Sequence, residues 1–170
     1  MSFINTHFKR IIQRDLLLLN PNSSVYSLKP INKVILNCAE EETDEKFVLS
    51  CFLALYVLSS QKPYRAINKV KEKVVGGKVT LRKKHMYNFI DRFLFECLPN
   101  IKSAKKLKLP VNEKSYYFNI VDFIVFDELA TVYSYIEEIK HIGCQINFNQ
   151  FNVMASILMG QSLLFCFKDN

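Results

Sequence analysis

Residues 61–99 read QKPYRAINKVKEKVVGGKVTLRKKHMYNFIDRFLFECLP, and the hydrophobic period changes inside this stretch. Over Val79-Thr80-Leu81-Arg82 apolar and polar side chains alternate. That pattern puts Val79 and Leu81 on one face of a strand and Thr80 and Arg82 on the other. From Met86 onward, Phe89, Ile90, Phe93, Leu94 and Cys97 recur three and four residues apart, the spacing of one helical face. Pro99 is expected to stop that helix, because proline has no backbone N–H and its ring clashes with the preceding turn. Upstream, Pro63 to Ile67 reads as a short strand, and Gly76-Gly77 as the break before the next one. The same stretch carries the charge. Gln61 to Lys84 hold nine Lys or Arg against one acid, Glu72, a local excess of eight in a chain whose net charge is +7. The rest of the chain is therefore close to neutral, and this segment has the electrostatic footprint of a surface that meets phosphate.

Outward from there, residues 3–19 read as a helix with Ile4, Phe8, Ile11 and Ile12 in one stripe, ended by Asn20-Pro21. Asn22 to Pro30 is turn-rich, and Ile31 to Asn37 is β-branched and reads as a strand. The acidic run Glu40 to Glu45 suits a helix N-terminus. The helix it introduces has Phe47, Cys51, Phe52, Leu55 and Leu58 on one face. Ile101 to Pro110, with four Lys, reads as a basic loop. Tyr116 to Val125 reads as a strand, Val132 to Ile139 as a short helix, Gly143 to Phe148 as an alternating strand, and Asn152 to Met159 as a last helix. The expected fold is α+β, one domain over residues 1–170 with a largely antiparallel sheet and helices packed on one face. Such a sheet leaves its other face free for a partner.

Composition excludes several classes. Charged residues make up 23% and apolar residues 49%, with four Gly and five Pro, which is the profile of an ordered globular chain. Five cysteines at 38, 51, 97, 144 and 166 form no CxxC pair and read as reduced core thiols. The apolar run Phe47 to Leu58 is too short to cross a bilayer, and Phe151 to Phe167 is interrupted by polar residues. No membrane span is expected. Residues 1–14 are basic and acid-free, but the apolar stripe already present there reads as a structural first helix and not as a removable presequence. Three separated histidines, no GxSxG and no paired cysteines give no catalytic or metal-ligating pattern. Gly76-Gly77-Lys78 lacks the first glycine of a phosphate loop and has Val79 where Ser or Thr is needed. Neither an enzyme nor a cofactor is expected.

The candidate site is an RNA surface. Lys62, Lys78, Arg82, Lys83 and Lys84 supply cations for phosphates. The Thr80 hydroxyl and the Asn37 and Gln61 amides supply hydrogen bonds for sugars and base edges. Tyr64 and Tyr87 lie among the cations. For each, packing against the fold is the favoured reading and stacking on an unpaired base the alternative.

Several segments then line up in one order. Asn22-Ser23-Ser24-Val25 and Pro30-Ile31-Asn32-Lys33-Val34-Ile35-Leu36-Asn37 come first, followed by Gln61-Lys62-Pro63 and Lys78-Val79-Thr80-Leu81-Arg82. Met86-Tyr87, Phe89-Ile90-Asp91-Arg92 and Leu98-Pro99-Asn100-Ile101 complete the series. In this series the chain resembles the family of universal large-subunit ribosomal protein five, which docks 5S ribosomal RNA in the central protuberance. The resemblance covers about residues 16 to 101, which would make residues 30–100 the RNA-binding core and residues 101–170 a divergent part. It implies that Asn37, Gln61, Thr80 and Arg82 contact 5S rRNA, with Lys62 and Lys78 on phosphates. The implied partners are 5S and large-subunit rRNA, neighbouring proteins of the central protuberance and the small-subunit head. Four departures stand out. Ser60 occupies the place of a family glycine, and Cys38-Ala39-Glu40-Glu41 replaces a glycine-rich turn. The basic loop before Lys78, Val70 to Gly77, is shorter than the family's by roughly ten residues, so contact with tRNA is not implied. Lys102-Ser103-Ala104-Lys105-Lys106 keeps charge but loses the family motif. The abundance of Asn, Ile, Phe and Lys, residues with A/T-rich codons, together with the drift from the family pattern and the expected lack of a removable presequence, points to an organelle-encoded copy in the mitochondrial matrix. The alternative reading is a protein-interaction scaffold of a mitochondrial ribosome that lacks 5S rRNA.

Overall fold

The computed structural model describes residues 2–19, 31–40, 44–68, 72–100 and 115–148, together with Gln161 and Leu163. Five strands form one sheet: β1 (Ile31–Ala39), β2 (Tyr64–Asn68), β3 (Lys73–Leu81), β4 (Ser115–Ile120) and β5 (Ile142–Phe148). Their order is β2-β3-β1-β5-β4, and every neighbouring pair is antiparallel. The central place goes to β1, the strand richest in buried residues, with Val34, Ile35, Leu36 and Cys38 all buried.

Helices cover one face, as the sequence pattern requires. Helix α1 (3–19) runs as Phe3–His7, a wider π turn at Phe8–Ile12, and Gln13–Leu19. Helix α2 is Glu45–Ser59. Helix α3 (83–100) runs as Lys83–Arg92, a π turn at Phe93–Cys97, and Leu98–Asn100. Helix α2 lies on β3 and β1, α3 sits beside it, and α1 lies against α3. Two short helices, α4 (Asp127–Ala130) and α5 (Tyr133–Ile136), cap the layer near α2. Between sheet and helices lies one core. Val34, Leu36, Val79, Leu81, Cys144 and Ile146 meet Leu55, Leu58, Phe89, Ile90 and Phe93 there. Aromatic rings extend it in a chain from Phe126 through Phe89 and Phe93 to Phe118 and Tyr116, with centroids 5.0–6.3 Å apart. The four described cysteines are buried free thiols, as expected; Cys166 lies outside the described residues.

Two residues of the Phe89-Ile90-Asp91-Arg92 segment act as clamps between helices. The Asp91 carboxylate accepts the N–H groups of Phe3 and Ile4, each at 3.0 Å, and so satisfies donors that the first turn of α1 cannot. Arg92 donates to the Leu58 carbonyl at 2.7 Å and pairs with Glu128, tying α3 to the end of α2 and to α4. Glu128 belongs to α4.

Several boundaries depart from the sequence reading. Gly76 and Gly77 do not break the chain; they lie inside β3. A side chain at Gly76 would meet the Cys38 carbonyl at 2.0 Å, and one at Gly77 would meet Leu55 and Phe52 of α2 at 2.9 and 3.0 Å. These glycines serve close approach, not a turn. Consequently most of the segment read as a loop, Val70 to Gly77, is strand. β3 ends at Leu81, and Arg82 keeps extended dihedrals as the residue that precedes α3. Pro99 does not stop α3, whose described part includes it and runs to Asn100. Ile11 leaves the buried stripe and is 50% exposed, because the π turn rotates it off the face that keeps Ile4, Phe8 and Ile12. The strand expected over Tyr116 to Val125 ends at Ile120, and Phe123–Val125 forms a short 3₁₀ turn. Helix begins at Asp127, before the expected Val132. Expectations for Asn22 to Pro30, Ile101 to Pro110 and Asn152 to Met159 lie outside the described residues.

Candidate nucleic-acid interface

Strand pairing decides what the face of the sheet opposite the helices presents. Residues paired across antiparallel strands point to the same side. Val34, Leu36 and Cys38 pair with Leu81, Val79 and Gly77 and turn toward the helices. Their neighbours Ile35 and Asn37 therefore face away, with partners Thr80 and Lys78. The pattern continues across the sheet. One row runs Tyr64, Lys78, Asn37, Gly143, Asn119 over all five strands. A second row runs Thr80, Ile35, Gln145, Tyr117, and a third Lys33, Asn147, Ser115. The outer face is thus built from amides, hydroxyls, two lysines and two tyrosines around Gly143 and a buried Ile35. None of the five strands contains Asp or Glu.

The ends of the first row are aromatic or amide, and Tyr64 is 78% exposed while Tyr117 is 58% exposed. Asn37 is held flat by the residue it pairs with. A Cβ on Gly143 would lie 2.2 Å from Asn37 Oδ1, so the absence of one lets the amide rest across β5. Thr80 is half-buried between Lys78 and Arg82, both exposed.

Of the residues expected from sequence, Asn37, Lys78 and Thr80 come together on this face. Gln61 and Lys62 lie at the start of the edge strand β2, beside the end of β3. Gln61 is fixed by its backbone: its N–H donates to Ser59 Oγ at 3.1 Å, and that hydroxyl donates to the Leu55 and Gln61 carbonyls. Ser60 ends α2 in the left-handed region, φ 52°, a conformation that glycine adopts without cost. Arg82 continues the line of β3 beyond the sheet. Lys83 and Lys84 do not join the face. They open α3 and line a groove in the helix layer with Lys9 of α1.

The two tyrosines divide. Among the described residues Tyr64 does not pack against the fold: β2 is the edge strand of the described sheet, and the Tyr64 side chain is largely exposed. Tyr87 does pack: it is half-buried against the core, and burial pushes its hydroxyl pKa up, which keeps it a neutral donor. Sequence reasoning missed Tyr117, Asn119, Gln145, Asn147 and Lys33. A signal was present in the alternation of Tyr116, Phe118 and Ile120 with Tyr117 and Asn119, and of Cys144, Ile146 and Phe148 with Gln145 and Asn147. The polar half of each alternation is the half that faces out.

Among the described residues, no cluster of His, Cys, Asp or Glu is placed to hold a metal ion, and no helix is long and apolar enough to cross a membrane. What the face can do chemically is bind: cations for phosphates, amides for sugar and base edges, and flat rings for unpaired bases.

No family model matches the chain. Whole-chain comparison finds relatives named large ribosomal subunit protein uL5. The one from Mycoplasma pneumoniae is 27% identical over 152 residues, covering 82% of this chain and 83% of its own. The relative named uL5c from Chara vulgaris is 30% identical over 140 residues, 73% of this chain and 71% of its own. The relative named uL5m from Reclinomonas americana is 26% identical over 147 residues, 78% and 80% respectively.

Proposed function

This chain belongs to the uL5 family of large ribosomal subunit proteins, structural constituents of the ribosome and not enzymes, and from that premise we propose that it binds 5S rRNA in the central protuberance through the outer face of its sheet. The observation that carries the reading is the acid-free outer face, with Tyr64, Lys78, Asn37 and Asn119 in one row across it. RNA loops expose unstacked bases, and such bases are met by aromatic stacking and amide hydrogen bonds while lysines and arginines neutralise the backbone. In this reading Asn37, Gln61 and Thr80 contact sugars and bases, and Lys62, Lys78 and Arg82 contact phosphates; Lys83 and Lys84, expected with them from sequence, open α3 and lie off this face.

The further partners are large-subunit rRNA, neighbouring proteins of the protuberance and the head of the small subunit. Contact with tRNA is left out of the proposal, since Asn68 pairs with Lys73 and only residues 69–72 join β2 to β3. The location proposed is the mitochondrial ribosome in the matrix. The A/T-biased composition supports it, and relatives with organellar names make it consistent.

Crosslinking in the native particle, followed by sequencing of the RNA joined to the chain, tests the proposal. Recovery of 5S rRNA at Tyr64 and Asn37 is the expected result. Recovery of large-subunit rRNA without 5S would favour the scaffold reading, and recovery of no rRNA would sink both. In purified form, Arg82→Ala is expected to weaken RNA binding and reduce the slope of log K against log salt by about one, the loss of one phosphate contact. An unchanged slope would remove Arg82 from the phosphate-binding set.

A further inference from the structure

Lys83 and Lys84 sit next to the sheet site in sequence but point into a different space. The corner between β3 and α3 carries them into the helix layer, where α1 lies against α3. There, a groove of about 610 Å³ opens between the two helices, lined by Ser2, Asn5, Lys9, Lys83, Lys84, Tyr87 and Asn88. Its lining contains three lysines, two amides and two hydroxyl residues, and no acid. The carboxylate nearest in sequence on α3, Asp91, accepts the N–H groups of Phe3 and Ile4 and lines an adjoining groove, not this one. Lys83 itself opens the helix with φ 49°, a left-handed conformation uncommon for a residue with a side chain.

We propose that this groove is a second RNA site, one that grips a run of phosphodiester backbone and reads no bases. It rests on the RNA-binding reading above and adds a separate surface to it. The chemistry is one-sided: lysine ammonium groups meet phosphate oxygens as point charges, and the Asn and Ser side chains reach sugar hydroxyls. No exposed aromatic ring is available in the groove, since Tyr87 is packed against the core, so base stacking is left to Tyr64 and Tyr117 on the sheet. A strand lying flat on the sheet cannot also fill the groove, because the helices that form it cover the opposite face. The two sites together would let the protein hold an unpaired loop on one side and a duplex flank on the other.

Two probes separate the sites in the full chain. A mixed-sequence RNA duplex offers backbone but keeps its bases stacked, and single-stranded oligouridine offers bases to the sheet. With Lys9→Ala and Lys84→Ala combined, duplex affinity is expected to fall about tenfold and its salt slope by about two, with oligouridine binding unchanged. Tyr64→Ala with Asn37→Ala is expected to do the reverse. Lys9 and Lys84 are exposed, so their removal leaves the fold intact, and circular dichroism confirms that in the same samples. An unaltered duplex slope in the lysine variant would overturn the proposal. A wild-type chain that binds oligouridine but not the duplex would overturn it while leaving the sheet reading in place; binding to neither would remove both.

Discussion

Gly143 sets the position of Asn37 more directly than any residue beside Asn37 in the chain. The two pair across β1 and β5, and a methyl group on Gly143 would lie 2.2 Å from Asn37 Oδ1 and 3.0 Å from its Cγ. The clash falls on the mobile end of a side chain, so the amide can swing away without moving backbone. Gly143→Ala is therefore expected to change folding stability by less than about 1 kcal/mol, with lost unfolded-state entropy offsetting part of the strain. RNA affinity should fall as far as it does in Asn37→Ala. Titration of the two single variants and the double variant checks this: if Gly143 acts through Asn37, the double is no weaker than either single. Additive losses would show that Gly143 acts by another route. Asn37 was legible in the sequence because it ends a run of β-branched residues within a recognisable segment. Gly143 was not, because only strand register tells which distant residue lies beneath the amide. The exposure of Tyr64 is hidden for a similar reason, since nothing in its local sequence says that β2 is the edge of the described sheet.

At the scale of elements, β3 is the instructive case. Paired glycines usually punctuate a chain, and Gly76-Gly77 was read that way. Here they let β3 cross under α2 and against β1. The contact at Gly76 is with backbone, the Cys38 carbonyl at 2.0 Å and the Ala39 Cα at 2.7 Å, whereas that at Gly77 is with side-chain tips of Leu55 and Phe52. Backbone cannot yield as rotamers can. Gly76→Ala should thus cost at least about 3 kcal/mol, the upper end of overpacking penalties. Gly77→Ala should cost clearly less. Urea unfolding of both variants measures the order, and equal losses would mean that α2 is held as rigidly as the sheet. Helix α3 shows the opposite balance. Its three-and-four spacing survives two irregularities, a π turn at Phe93–Cys97 and Pro99 within its described part, because six apolar residues anchor it to the core. Periodicity over a long segment made it legible. Its continuation through Pro99 was not, since the cost of a proline depends on how many bonds remain to be lost beyond it.

The described molecule is two-sided, a polar sheet face and a helix layer over a core that holds buried thiols. Alternation and helical spacing were enough to give the α+β layers. The division of the basic segment was hidden, because the corner after Leu81 separates Lys78 and Thr80 on the sheet from Lys83 and Lys84 in the groove. On the helix side lie Cys51, Cys97 and Cys144, whose thiol pKa values are all raised. Cys51 is raised first by its hydrogen bond to Cys38, and Cys97 and Cys144 first by burial. Cys97 is pushed from 9.0 to about 12. In the folded chain that thiol keeps its proton to about pH 12, while in the unfolded chain it releases it near pH 9.0. A raised folded pKa adds stability that is complete below the unfolded value and is lost as pH climbs toward the folded one. Above pH 9 the unfolded state binds fewer protons, so stability declines, by about 1.4 kcal/mol per pH unit for each such thiol once the unfolded form has titrated. Unfolding free energy should therefore be insensitive to these thiols at neutral pH and fall steeply between about pH 9 and pH 12. Cys97→Ala lowers stability at every pH by leaving a small void, but it should also flatten the alkaline decline by close to one proton's worth, a change that packing loss alone does not produce. An alkaline slope identical in Cys97→Ala and the parent would show that the thiol titrates alike in both states, and that the core around α3 admits water.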